Sequence, residues 1–101
     1  MTIERTTLNK LIAFMSQRDF SVHSVDDGGE VFKKPTRNSA IDALLSVDES
    51  YIWFNDYAGT CDPHSVFIVN GEGVDCITDW TSSRGDPDGF AAAMDTFMDT
   101  L

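Results

Sequence analysis

ESYIWFNDY, residues 49–57, is dense in residues that favour extended backbone, and its apolar side chains fall on both alternating faces, Tyr51 and Trp53 against Ile52 and Phe54. A strand that is apolar on both sides belongs in the middle of a sheet. Beyond the loop AGTCDP (58–63), HSVFIV (64–69) and VDCITD (74–79) stand on either side of Asn70-Gly71-Glu72-Gly73, a strong hairpin signal. Phe67, Val69, Val74 and Cys76 are expected to share one face of that hairpin. Towards the amino terminus, FSVHSV (20–25) and EVFKK (30–34) flank Asp26-Asp27-Gly28-Gly29, whose Asp-Gly step suits a tight turn, so a second hairpin is expected at 20–34.

Helices complete the pattern. Ile3, Leu8, Leu11, Ile12 and Met15 recur at helical spacing and predict an amphipathic helix over about residues 3–17, with Glu4, Arg5, Lys10 and Arg18 on its polar face. Pro35 ends the preceding strand because it lacks an amide donor, and Ser39 with Asp42 resembles a capping-box start for a short helix burying Ile41, Leu44 and Leu45. At the carboxyl end, Asp86-Pro87-Asp88 offers a cap, a proline at the first helical position and an acid at the positive end of the dipole. Phe90, Met94, Phe97, Met98 and Leu101 form the stripe that follows. The order α-β-β-α-β-β-β-α, with short connections, implies an α+β fold: a small antiparallel sheet of about five strands with helices packed on it. Residues 1–101 are expected to form a single globular domain.

With 42% hydrophobic and 24% charged residues, the chain has a globular rather than a disordered or fibrous composition. MTIERTTLNKLIAFMSQRDF lacks the continuous apolar core of a signal peptide, and the chain nowhere holds about 18 apolar residues in succession, so a cytoplasmic protein without membrane association is expected. Cys61 and Cys76 are too few for a disulfide scaffold and are expected to be thiols in a reducing compartment.

Charge is distributed unevenly. Residues 1–37 carry six bases and five acids, whereas residues 38–101 carry twelve acids and one base, Arg84. A field of this sign repels nucleic acid and attracts basic surfaces. Lys33, Lys34 and Arg37 are the one positive cluster, a poor backbone clamp beside a chain of net charge −10, so direct nucleic-acid binding is excluded. The acids sit on several elements: Asp42 on the second helix, Asp48, Glu49 and Asp56 around the central strand, Asp75 and Asp79 on the last strand, and Asp88, Asp95 and Asp99 on the final helix. Their plainest role is a solvated, solubilising face. Their sharper role is a folded array of carboxylates that imitates a phosphate backbone, with Asp75, Asp79, Asp88, Asp95 and Asp99 as the expected partner contacts.

Other constellations are thinner. Cys61, Asp62, His64 and Cys76 are zinc-compatible donors, but structural zinc sites show two close ligand pairs and Cys76 has no near second ligand. Cys76 is better read as a small core residue packed with Phe67. Cys61 or Ser65 with His64 or His23 and Asp62 lacks the strand-turn-helix elbow of a nucleophile, and no catalytic residue or cofactor is assigned. His23, out of phase with Phe20 and Val22, reads as a surface histidine. The acidic turns at 26–30 and 86–89 are shorter than the roughly twelve-residue calcium loop. Arg84-Gly85-Asp86 matches the integrin tripeptide, and a turn followed by a cap explains it. Trp53, Trp80, Tyr51 and Tyr57 are expected mostly in the core, any exposed ring beside the acids being an anchor for a protein partner.

VDESYIWFND (47–56) and FIVNGEGVDCITDWT (67–81) resemble small acidic accessory proteins of phages and prophages, in which a β-hairpin carries a glycine turn and ends in an Asp-aromatic-Thr step. The resemblance implies a non-catalytic, anti-CRISPR-like or anti-restriction inhibitor acting in the host cytoplasm as a monomer or homodimer. Its partner would be a host defence protein with a basic, nucleic-acid-binding surface. Two alternatives come from other classes: a small-molecule or metal-binding module at 61–64 and Cys76, and a homo-oligomeric phage assembly protein whose aromatic strand pairs with its copy.

Overall fold

The computed structural model describes residues 2–55, 63–82 and 89–101. In chain order the elements are α1 (Ile3–Gln17), β1 (Ser21–Asp26), β2 (Val31–Lys33), α2 (Arg37–Leu44), β3 (Glu49–Asn55), β4 (His64–Val69), a 3-10 turn (Gly73–Cys76), β5 (Ile77–Thr81) and α3 (Phe90–Met98). The strands form one sheet in the order β2-β1-β3-β4-β5, with every bonded pair antiparallel. This is the α+β architecture that the hydrophobic pattern predicts. β3 is central, as its two-faced apolar run requires. Because β2 and β3 both pair antiparallel with β1, they run parallel one strand apart, and α2 makes the crossover between them.

One core lies between the helices and one face of the sheet. Leu8, Leu11, Ile12 and Met15 of α1, Ala40, Ile41 and Leu44 of α2, and Phe90, Ala93, Met94 and Phe97 of α3 meet Val25, Ile52, Phe54, Val66, Ile68 and Ile77 of the strands. Burial of such side chains contributes roughly 1.5–3 kcal/mol each. α1 has the expected bounds, capped by Thr2, whose hydroxyl oxygen accepts the Arg5 N–H at 3.1 Å. Its apolar stripe begins one turn later than expected, since Ile3 is 60% exposed.

Helix starts are where local rules mislead. α2 begins at Arg37 rather than at Ser39, because Thr36 takes the cap and accepts the Ser39 N–H at 3.2 Å. Asp42 forms no capping box and instead pairs with the Arg5 guanidinium. α3 begins at Phe90, with Gly89 at the cap in left-handed conformation (φ 74°). Asp86 to Asp88 lie outside the described residues. Leu101, expected in the stripe, is exposed.

The hairpin turns differ from each other. Between β1 and β2 the acids act as local acceptors: Asp26 takes the Gly28 N–H, and Asp27 takes those of Gly29 and Glu30, at 2.8–3.0 Å. The hairpin expected there forms, with Gly28 at positive φ (92°). The tight turn expected at Asn70–Gly73 is replaced by a longer excursion in which the strand pairing gives way to the 3-10 turn, and β5 starts only at Ile77. Three hydrogen bonds, from Asn70 and Gly73, hold the chain there. Asn70 donates from its side chain to the Leu45 carbonyl at 3.1 Å and from its backbone to Asp48 at 2.8 Å. The Gly73 N–H donates to the Glu4 carboxylate at 3.1 Å, tying the turn to α1.

Backbone N–H groups, first its own and then that of Gly73, hold the Glu4 carboxyl below its ordinary value of 4.5. A depressed folded value stabilises the fold above pH 4.5, and that contribution disappears as pH falls through the depressed value. Glu4→Gln should therefore lower the urea midpoint at pH 7, and the gap from wild type should narrow as pH falls below 4.5. Equal midpoints at pH 7 would show that the Glu4–Gly73 tie does not stabilise the fold.

Candidate functional site

All three helices bury their apolar sides in the one core, which leaves the other face of the sheet uncovered by any described helix. Strand alternation assigns each residue to a side. Ser50, Ile52 and Phe54 of β3 and His64, Val66 and Ile68 of β4 are buried under the helices. Tyr51, Trp53, Ser65, Phe67 and Val69 therefore point the opposite way. Bulges after Val22 in β1 and at Phe67–Ile68 between β4 and β5 absorb His23 and Thr78 and keep the register in phase across the sheet.

Two rows of side chains result on the open face. One runs Val31, Asp26, Tyr51, Phe67, Asp79 and the other Lys33, Ser24, Trp53, Ser65, Thr81, each residue directly opposite the next. Glu49, opposite Val69, begins a third. At the centre, Tyr51 lies 4.9 Å from Phe67 and 6.2 Å from Trp53, ring planes inclined by 31° and 34°. Tyr51 is 42% exposed, while Trp53 and Phe67 are half-buried. Carboxylates of Asp26, Glu49 and Asp79 rim this aromatic strip, and Lys33 is the base on the same face of these strands. The expectation that these rings belong to the core is corrected for Tyr51 and Trp53. It holds better for Trp80, which packs against the core from β5. Tyr57 lies outside the described residues.

The acids expected to contact a partner are divided by the sheet. Asp79 is on the open face. Asp95 is exposed on α3 and Asp99 at its carboxyl-terminal cap, in the helical layer on the other side, and Asp75 is exposed in the 3-10 turn that packs on α1. Asp88 lies outside the described residues, as do Asp56, Cys61, Asp62 and Arg84. Cross-strand register alone places Asp26 beside Tyr51, whereas Glu49 shares Tyr51's face by strand alternation, two residues away on β3.

The remaining candidates separate in space. His64 is fully buried, stacked on Phe90 at 4.4 Å and 3° with Phe20 edge-on at 5.8 Å, whereas Ser65 follows it on the strand and faces the other side. His23 is half-buried, with Nδ1 2.8 Å from the Ser24 hydroxyl. Cys76 is buried as expected, but not against Phe67, which is on the open face; the expected shared face of Phe67, Val69, Val74 and Cys76 does not form, and Val74 is exposed. Burial, helped by the charge of Glu4, pushes the Cys76 thiol up to about 11, which disfavours the thiolate that a metal or an electrophile needs. Ile77, its neighbour, pairs with Ile68, so His64 lies roughly 13 Å further along β4 and the two donors do not converge. Among the described residues no three His, Cys, Asp or Glu side chains are grouped to hold a metal ion, and no helix is long and apolar enough to cross a membrane. Comparison with protein-family models, curated proteins and solved structures finds no match to this chain.

Proposed function

We propose that this protein is a non-catalytic binding protein that occupies a basic, nucleic-acid-binding surface of a host protein through the open face of its sheet. The observation that carries this reading is the aromatic strip of Tyr51, Trp53 and Phe67 rimmed by Asp26, Glu49 and Asp79. Rigid rings supply contact area with little entropy to lose, and a carboxylate rim supplies orientation and long-range attraction. The chain's net charge of −10 has the sign that nucleic acid presents to the same partners. The molecule is a slab of 33 × 30 × 19 Å. Its broad face suits a standard interface, which buries roughly 800 Å² per partner. The phage accessory proteins that 47–56 and 67–81 resemble make nucleases and CRISPR effectors of host defence the first partner class.

The test is capture from host lysate at about 0.1 M and 0.5 M salt, over which the reach of surface charge falls from about 10 Å to under 5 Å. Basic nucleic-acid-binding proteins should be retained at low salt, released at high salt, displaced by duplex DNA and lost with Tyr51→Ala. Capture that persists with Tyr51→Ala but fails with Asp95→Asn and Asp99→Asn would move the interface to the helical layer and overturn the open-face assignment. Binding of duplex DNA by the protein itself would overturn the reading altogether.

A further inference from the structure

At the β5 end of the open face, Tyr51, Phe67 and Asp79 stand in line across three strands, with the Ser65–Thr81 pair beside them. With Trp80 they line a recess of about 120 Å³. Its lining residues bring aromatic rings, one carboxylate and two hydroxyls together. The Asp79 Oδ1 accepts the Trp80 N–H at 2.8 Å. That bond also occupies an amide on the outer strand, which discourages a partner's strand from adding to this edge.

We propose that this recess receives a single arginine side chain of the protein partner, an assignment that rests on the open-face reading above and specifies its anchor. A guanidinium is planar and weakly hydrated, so it stacks on aromatic rings while its fork of N–H groups reaches a carboxylate. Tyr51 and Phe67 provide the stacking surface, Asp79 the charge-assisted acceptor, and the Ser65 and Thr81 oxygens further acceptors. A lysine ammonium is a compact, strongly hydrated charge that gains little from rings inclined in this way. Among the described residues, the base on this face of the strands does not fill the recess. Lys33 is four strand spacings from Thr81, roughly 19 Å.

The proposal is tested with the isotope-labelled full chain and three capped pentapeptides, Gly-Gly-Xaa-Gly-Gly, in which the central residue is arginine, lysine or citrulline. The arginine peptide should shift the amide resonances of Tyr51, Phe67, Asp79 and Thr81 saturably. The lysine peptide should need at least roughly fivefold more for the same shift, and citrulline, which lacks the charge, should give none. Asp79→Asn should weaken the arginine response about tenfold or more, whereas Glu72→Gln, a charge-matched change in an exposed turn, should not. The variants' own spectra report whether the fold is kept. Equal arginine and lysine responses, or shifts confined to α3, would overturn the proposal. Partner capture that needs Tyr51 but is untouched by Asp79→Asn removes the arginine anchor and leaves the open-face reading standing. A saturable, Asp79-dependent arginine response without capture of any basic protein upholds the anchor and removes the channel-blocking function.

Discussion

Phe90→Ala should lower the thermal midpoint by on the order of 20 °C, the largest effect expected of any single truncation in this domain. Phe90 is fully buried at the first position of α3 and touches three rings from different parts of the fold: Phe20 at 5.2 Å, Phe54 at 5.8 Å and His64 at 4.4 Å. Removing a buried phenyl ring costs about 3–5 kcal/mol through lost transfer energy and the void left behind. Small domains hold only about 5–15 kcal/mol in total. The void here would border a buried imidazole, whose stacked ring would lose its apolar cover. Phe90→Leu, which keeps most of the volume, should cost much less, as shape changes of this kind usually cost under about 1.5 kcal/mol. Calorimetry on the two variants checks this; a midpoint change in Phe90→Ala below about 5 °C would mean that α3 does not anchor the core.

The core was legible in the sequence wherever a helical or alternating period ran long enough to fix a face. α1 and β3 are the clear cases, since four of the five apolar residues expected on α1, Leu8, Leu11, Ile12 and Met15, are buried and the two-faced apolar strand lies in the middle of the sheet. What the period could not decide is which face of β3 the helices cover. Ser50, a polar residue of ESYIWFN, is buried with its hydroxyl donating to the Leu44 carbonyl at 3.3 Å, while Tyr51 stands in the open. Aromatic rings pack on either side of a sheet, so β-propensity is silent on the choice. The chain departs from a tight turn at 70–73 for a related reason: Asn-Gly favours a tight hairpin locally, but Asn70 and Gly73 take partners 25 and 69 residues away in sequence. Long-range hydrogen bonds of this kind have no local signature. The same holds for the acids. Twelve of them after residue 37 were visible as charge, but register alone puts Asp79 in line with Tyr51 and Phe67 and leaves Asp95 and Asp99 behind the sheet.

Tyr51→Ala combined with Phe67→Ala should reduce partner affinity about 100-fold or more, since central aromatic anchors typically contribute 2 kcal/mol or more each and 2.7 kcal/mol corresponds to that ratio. The two rings are cross-strand neighbours at 4.9 Å. Losing such a pair costs the sheet roughly 1 kcal/mol, so the midpoint should fall by only about 4–8 °C and the variant should remain folded at 25 °C. Tyr51→Phe, which keeps the stacking surface, should bind within a few-fold of wild type. Kinetics separate the rings from the acids. The aromatic variants should speed dissociation, because they remove contacts made only after docking, whereas Asp26→Asn and Glu49→Gln should slow association and flatten its salt dependence. Surface plasmon resonance with the captured partner, at two salt concentrations, distinguishes these effects. Wild-type dissociation from the double variant would place the interface elsewhere, for the strip would then be touched by nothing in the complex.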